Sequence, residues 1–159
     1  MSIQTRINVR GFTVVELLVS VAIIAILAVI AAPALGEYLA TLRLKGATEE
    51  LAADLQLARM ESVQKNAQVT FTMAGTGYSI TRGATTIKTV ALTSGSSVSA
   101  GTAMVAVFDP VRAMATVTNG PNITMANSST SRTLRVSLST MGRITTCSPS
   151  GTVNGYNVC

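Results

Sequence analysis

The sequence predicts an α+β fold in which a long amino-terminal helix packs on a small antiparallel β-sheet domain. An uninterrupted apolar run opens the chain and continues into a segment whose apolar residues recur with helical spacing. After that segment the apolar residues alternate, and turn residues interrupt them about every ten positions. A helix followed by many short strands is the pattern of a helix segregated to one face of an antiparallel sheet.

The apolar run has the length of a membrane-spanning helix. Nineteen residues from Leu17 to Leu35 carry no charge. At ~1.5 Å per residue they extend roughly 28 Å as a helix, which is about the thickness of the hydrocarbon core of a bilayer. Glu16 stands at the edge of this run, where burial of a carboxylate is costly and calls for a partner. We predict that residues 12–35 form a transmembrane segment.

The residues that flank the run indicate its orientation. Arg6 and Arg10 precede it, which predicts that the amino terminus is cytoplasmic and that the remainder of the chain lies on the other side of the membrane. The alternative is a secretory signal peptide that is cleaved near Ala-Ala-Pro-Ala at 31–34. The apolar run is longer than the usual ~7–15 residues of such a peptide and passes without a break into helical periodicity, which favours an anchor.

Residues 36–66 are predicted to continue the helix as an amphipathic segment. Apolar residues recur there at steps of three to five along one face. The residues predicted to face the sheet are Leu35, Tyr38, Leu39, Leu42, Ala47, Leu51, Leu55, Ala58 and Val63. The residues predicted to face outward are Glu37, Thr41, Lys45, Glu49, Asp54 and Glu61.

Residues 67–159 are predicted to form the antiparallel β domain. The predicted strands are residues 68–73, 78–81, 86–92, 104–108, 113–118, 132–138 and 143–147. Turn signals separate them, among them Asp109-Pro110, Asn119-Gly120, Met141-Gly142 and a break at Ser94–Ser97. The open face of such a sheet needs the amphipathic part of the helix as its cover.

The charge of the chain is unevenly distributed. The formal net charge is +5, and from Ala67 onward six bases accompany one acid, Asp109. This balance suits an acidic partner such as nucleic acid, but it equally keeps a surface rich in Ser and Thr soluble. There is no histidine and no nucleophile motif, so we expect no catalytic residues, no metal site and no cofactor.

The two cysteines lie close to the carboxyl terminus. Cys147 and Cys159 would close a thirteen-residue loop, which stabilises a fold by about 3 kcal/mol on chain-entropy grounds. Two thiolates alone leave a zinc site incomplete, and a chain that crosses a membrane meets an oxidising compartment. We therefore predict a disulfide that fastens the carboxyl terminus to the last strand.

The amino terminus resembles the class III signal of type IV prepilins. The matching residues are Gly11-Phe12-Thr13-Val14-Val15-Glu16-Leu17-Leu18, after a short basic leader and before the apolar helix. The resemblance implies that a prepilin peptidase cuts after Gly11, removes residues 1–11 as a leader and methylates the new amino terminus at Phe12. It also implies that Glu16 pairs with the terminal ammonium of a neighbouring subunit during assembly.

The remainder of the chain is similar to the GspH/FimT branch of pilin-like proteins. The similarity rests on the helix end Leu51–Val63, LAADLQLARMESV, and on Gly142-Arg143-Ile144 before Cys147. It implies a pilin-like fold and a structural role as a minor subunit of a type II secretion pseudopilus or a type IV pilus. The implied partners are the prepilin peptidase, other pilins or pseudopilins, the inner-membrane assembly platform and the lipid bilayer.

DNA capture in natural transformation is the alternative function. FimT-like pilins that bind DNA for uptake carry a Gly-Arg-x-Arg motif, of which Gly142-Arg143-Ile144 is present while Thr145 replaces the second arginine. Together with Arg132 and Arg135, Arg143 is a candidate for phosphate contacts in one basic patch. The same residues equally suit a solvated face or a contact with another subunit.

Overall fold

The computed structural model describes residues 12–92, 98–101, 103–151 and 153–159. The chain divides into two compact units between Gly36 and Glu37. Helix α1, Val14–Lys65, begins in the first unit and continues into the second, which also contains every strand that the structure describes. The leader with Gly11, and the turn predicted at Ser94–Ser97, lie outside the described residues.

Both ends of α1 are capped by local hydrogen bonds. At its start the side-chain oxygen of Thr13 accepts a hydrogen bond from the backbone N–H of Glu16 at 3.2 Å. At its end Asn66 adopts a left-handed conformation with φ 48°. The N–H groups of Asn66 and Ala67 then donate to the carbonyls of Val63 and Ser62, which is the Schellman arrangement. The helix therefore ends where the sequence changes from helical to alternating periodicity.

Nine described strands form two antiparallel sheets in the second unit. The first sheet has the order β3-β2-β1-β5-β6, and the second has the order β4-β7-β8-β9. The strands of the first sheet are β1 Val69–Ala74, β2 Gly77–Arg82, β3 Thr85–Ala91, β5 Met104–Phe108 and β6 Ala115–Thr118. The strands of the second sheet are β4 Val98–Ala100, β7 Asn122–Asn127, β8 Thr133–Leu138 and β9 Ile144–Cys147.

The α+β class predicted from the sequence is confirmed, with the second part of α1 packed on antiparallel sheets. Two strands were not predicted. β4 is only three residues long. β7 begins and ends with asparagine and follows Pro121, so its ends carry the composition of turns, although Ile123 and Met125 alternate as buried residues between them.

The predicted inner face of the helix is only partly correct. Leu51, Leu55 and Ala58 are buried as predicted. Tyr38, Leu39, Leu42 and Val63 were predicted to face the sheet and are exposed, as is Leu35 in the first unit. Thr41 and Asp54 were predicted to face outward and are buried. The buried stripe in fact consists of Ala40, Thr41, Leu44, Thr48, Leu51, Asp54, Leu55, Ala58 and Ser62.

Hydroxyl groups can occupy this buried stripe because the helix itself accepts their hydrogen bonds. Thr41 Oγ1 donates to the carbonyl of Glu37 at 2.9 Å, and Thr48 Oγ1 donates to that of Leu44 at 2.7 Å. Ser62 Oγ donates to the carbonyl of Arg59 at 2.7 Å. A buried hydroxyl with a partner avoids most of the desolvation penalty, so small polar residues can line the core. A pattern built on hydrophobicity alone places them outside.

Asp54 is buried because two strand residues bind its carboxylate. Tyr78 Oη donates to Asp54 Oδ2 at 2.6 Å, and Lys88 Nζ lies 2.7 Å from the same oxygen. Burial, followed by the hydrogen bond to Asp54, raises the pKa of Tyr78 far above its ordinary value. The pKa of Lys88 is also raised, because the hydrogen bond to Asp54 outweighs the opposing effect of partial burial. The cluster thus keeps a phenol, an ammonium and a carboxylate paired between α1 and strands β2 and β3.

Replacement of Asp54 tests this cluster. We expect Asp54→Ala to lower the free energy of unfolding by about 3 kcal/mol, because it leaves a buried phenol and a half-buried ammonium without their acceptor. The measurement is denaturant unfolding of the full chain in a nonionic detergent. Glu50→Ala is the matched control, since Glu50 is exposed and binds the same Lys88 at 3.1 Å; its loss should stay below about 1 kcal/mol. Equal losses for the two variants would contradict this account.

Candidate functional site

The predicted processing and assembly residues stand at the start of α1. Phe12 is 78% exposed and precedes the helix, and Glu16 lies in its first turn. Thr13 acts as the N-cap, because its carbonyl also accepts the N–H of Leu17 at 3.2 Å. Among the described residues no cation pairs with the Glu16 carboxylate. A negative charge in the first turn also suits the positive end of the helix dipole.

The capping role of Thr13 could have been predicted from the sequence, although hydrophobic periodicity does not show it. Thr13-Val14-Val15-Glu16 has the spacing of a capping box, in which a Ser or Thr is followed three residues later by Glu or Gln. Glu16 therefore has a local structural context besides the assembly role predicted for it. A variant of Glu16 must be compared with one that keeps its charge or its cap.

The first unit exposes its apolar side chains on every side of the helix. By length and composition α1 can cross a membrane: an 18-residue window has a mean hydropathy of 3.0, and none of that window is buried. Every described residue from Phe12 to Gly36 is exposed. A helix that is apolar all round needs lipid or other helices as its surroundings.

The three arginines predicted as one basic patch are not brought together. Arg132 precedes β8 and its Nε lies 3.4 Å from Glu37, while Arg143 is exposed in the turn that follows the same strand. The six residues of β8 separate them by roughly 20 Å. Arg135 lies between Thr124 of β7 and Cys147 of β9 on the outer face of the second sheet.

Arg143 instead neighbours a different arginine. Arg59, near the end of α1, donates from Nε to the carbonyl of Ala113 at 3.1 Å. Gly142 packs directly against this contact. A Cβ at position 142 would lie 2.7 Å from the Ala113 oxygen and 2.9 Å from Arg59 Nε, and the φ of Gly142 is +73°. Glycine at 142 is thus required both by backbone conformation and by close approach. The two stretches quoted for the family resemblance therefore meet in space.

The disulfide loop at the carboxyl terminus is attached to the helix. Cys147 and Cys159 form a disulfide. Within the loop, Lys45 Nζ donates to the carbonyl of Asn154 at 2.7 Å, and Tyr156 Oη donates to Glu49 Oε1 at 2.8 Å. Lys45 Nζ also lies 5.8 Å from the centroid of the Tyr156 ring. The sequence predicted the bridge to the last strand but not these contacts with α1.

The environment of Tyr156 changes its acidity. Partial burial, followed by the hydrogen bond to Glu49 and the charge of that carboxylate, raises the pKa of Tyr156 from 10.0 to about 12. Its phenol is therefore a donor throughout the physiological range. Within the described part of the chain no three His, Cys, Asp or Glu side chains cluster as metal ligands would.

Comparison with known families decides the relationship of this chain. Residues 47–142 match the family model described as type II transport protein GspH. The chain belongs to the GspH family. Residues 6–32 match the prokaryotic N-terminal methylation motif. No curated protein and no solved structure matches the chain.

Membership of the GspH family makes the chain a type II secretion pseudopilin or minor pilin with a pilin-like α+β fold. The matched range runs from the buried part of α1 through β8 and its following turn, so the contact of Arg59 with Gly142 lies inside it. The family is structural, which agrees with the expectation of no enzymatic activity. The apolar helix and the methylation motif fit an inner-membrane-anchored pilin.

The pH dependence of stability tests the attachment of the disulfide loop. The folded state holds the Tyr156 proton more tightly than the unfolded state, so its contribution is complete below pH 10 and is lost as the pH rises through about 12. We expect Tyr156→Phe to lower the free energy of unfolding by about 1 kcal/mol at pH 8. This difference should shrink steadily above pH 10. Phenylalanine keeps the ring beneath Lys45 and removes only the hydroxyl.

Denaturant unfolding of the full chain in nonionic detergent at pH 8, 9, 10 and 11 provides the measurement. Tyr38→Phe is the control, because Tyr38 is 61% exposed. That variant should match the wild-type protein at every pH. A difference for Tyr156→Phe that stays constant from pH 8 to 11 would show that its hydroxyl does not act through this hydrogen bond.

Proposed function

We propose that this chain is a minor structural subunit of a type II secretion pseudopilus or a type IV pilus, processed by prepilin peptidase and assembled through its amino-terminal helix. The observation that carries the proposal is that one chain combines two kinds of segment. The first is an apolar helical segment, exposed on all sides, that overlaps the methylation motif. The second is the folded second unit, called the body below, which is built around the second part of α1 and matches the GspH family. The helix is the assembly element and the body provides the specific surface.

The proposed topology follows from charge and hydropathy. Before processing, residues 12–35 span the inner membrane with the basic leader in the cytoplasm and the body in the periplasm. The lipid bilayer covers the apolar helix until other pilins or pseudopilins replace it in the filament. Transfer from lipid to a helical bundle keeps the apolar surface away from water throughout, so assembly needs no exposure of the helix.

Glu16 is proposed to set the position of each subunit along the filament. A carboxylate in hydrocarbon costs at least ~2.5 kcal/mol, which a cationic partner offsets. Cleavage after Gly11 creates such a partner, because it frees an ammonium at Phe12 of a neighbouring subunit.

DNA capture is the less favoured alternative. Arg143 follows Gly142 as the motif of DNA-binding relatives requires, but Thr145 stands in place of the second arginine. Arg132 lies at the other end of β8, where it pairs with Glu37. A phosphate backbone would therefore meet separated charges rather than one continuous patch.

The processing step is tested by the intact mass of the chain extracted from membranes of cells with the peptidase. We expect a mass that lacks residues 1–11 and carries one methyl group at Phe12. Cells without the peptidase should yield the unprocessed mass, because the substrate bond stays intact. A chain that retains residues 1–11 in cells with an active peptidase would rule out cleavage after Gly11.

The assembly role of Glu16 is tested by incorporation into sheared filaments. We expect Glu16→Ala and Glu16→Gln to reduce the filament fraction at least tenfold while the membrane-bound amount stays unchanged, since both remove the charge that pairs with the ammonium. Ser20→Ala is the matched control, because Ser20 is one turn away and donates to the Glu16 carbonyl without contributing charge. Wild-type incorporation of Glu16→Gln would disprove the ion pair.

A further inference from the structure

One end of the body gathers exposed apolar and basic side chains from three segments. The last turns of α1 meet the β5–β6 turn where Arg59 binds the Ala113 carbonyl. The β8–β9 turn joins them where the N–H of Ala115 donates to the carbonyl of Thr140 at 2.9 Å. We call the result the helix-end surface. It consists of Met60, Val111, Arg112, Met114, Met141 and Arg143.

The apolar members of the helix-end surface are unusually open to water. Met60 is 59% exposed, Met141 76%, Val111 83% and Met114 41%. A depression of about 450 Å³ lies between Met60 and Met141, with Arg59 and Arg143 on its lining. Exposed apolar groups gathered at one place mark interaction sites more often than isolated ones do. Methionine suits such a site, because its flexible side chain adapts to the shape of a partner.

The charges of the second unit leave this surface without an acidic complement. Each of its six acidic side chains already has a partner. These pairs are Glu37 with Arg132, Glu49 with Tyr156, Glu50 and Asp54 with Lys88, Glu61 with Arg82, and Asp109 with the backbone N–H groups of Val111 and Arg112. Within the described part of the chain, the guanidinium groups of Arg59, Arg112 and Arg143 form no ion pair with a side-chain carboxylate.

We propose that the helix-end surface docks a polypeptide segment of another protein that carries carboxylates beside apolar side chains. The arginines supply the charge that such a segment complements, and the methionines and Val111 supply the apolar contact. A second copy of this chain is a poor occupant, since the acids of its body are already paired.

Nucleic acid is less well matched than a polypeptide. Phosphates would satisfy the arginines but leave four exposed aliphatic side chains without a function. The helix-end surface also has no aromatic side chain on which a base stacks. The proposal goes beyond the assembly role of the amino terminus and involves neither Gly11 nor Glu16, so either idea can fail without the other.

Fluorescence anisotropy with defined probes tests the docking surface, using the full chain in nanodiscs of neutral lipid. The main probe is a labelled 14-residue helical peptide with Glu on one face and Leu on the other. Its matched relatives replace every Glu with Gln or every Leu with Ser, and a 14-base-pair DNA duplex is the fourth probe. Binding to empty nanodiscs is subtracted. We expect the Glu–Leu peptide to bind at least tenfold more tightly than the Gln–Leu and Glu–Ser peptides.

Single substitutions locate the binding. We expect Arg112→Gln and Arg143→Gln each to weaken the Glu–Leu peptide about fivefold, while Arg43→Gln stays within twofold. Arg43 is an exposed base on α1 outside the helix-end surface. Met141→Ser should weaken the Glu–Leu peptide about fivefold and leave the Glu–Ser peptide unchanged. All four positions are exposed, so folding should survive, which far-ultraviolet circular dichroism checks.

Four results would overturn the proposal. Equal binding of the Glu–Leu and Glu–Ser peptides would show that the surface binds anions without using its apolar side chains. Tighter binding of the DNA duplex with the same dependence on Arg112 and Arg143 would assign it to nucleic acid. Glu–Leu binding that Arg43→Gln weakens as much as Arg143→Gln, or no binding of that peptide at all, would remove the surface from consideration.

Discussion

The fit between the buried stripe of α1 and the two sheets is the contact on which the body depends. The stripe alternates leucines, which fill the core, with small residues whose hydroxyls bond back to the helix. Both sheets turn their alternate residues toward it, so the helix is the element that the core residues of each sheet share. Asp54 adds a polar bond at the middle of this contact, where Tyr78 and Lys88 hold the first sheet to the helix.

In the proposed topology a single helix meets two different solvents. Its first part would lie in hydrocarbon, which offers charges no partners and suits the absence of charge after Glu16, whereas its second part turns one side to the core and the other to water. Within the second unit, the helix residues Tyr38, Leu39 and Leu42 also expose their side chains. That surface cannot be explained by the packing of the body, which uses Ala40, Thr41 and Leu44 instead.

Sequence patterns predicted those features that depend on strong local signals. The alternating residues from Gln68 onward and the turn signals between them predicted most strands, and a cysteine pair beyond the apolar run predicted the disulfide. The buried face of the helix was mispredicted at Thr41 and Asp54, since their burial depends on acceptors and donors that are assigned only in three dimensions. For the same reason the convergence of Arg59 with Gly142, which are distant in sequence, had no local signal.

The size profile along the buried stripe also fixes the helix lengthwise. Small residues, Thr48 and Ala58, flank the pair Leu51 and Leu55. A slide of one turn, ~5.4 Å, would bring leucines to positions where the sheets leave room for a threonine or an alanine, and overpacking of that kind costs roughly 1–3 kcal/mol at each site. The helix therefore packs well against the sheets at only one axial position. A force along the helix axis would act on the sheets and would not shift the helix past them.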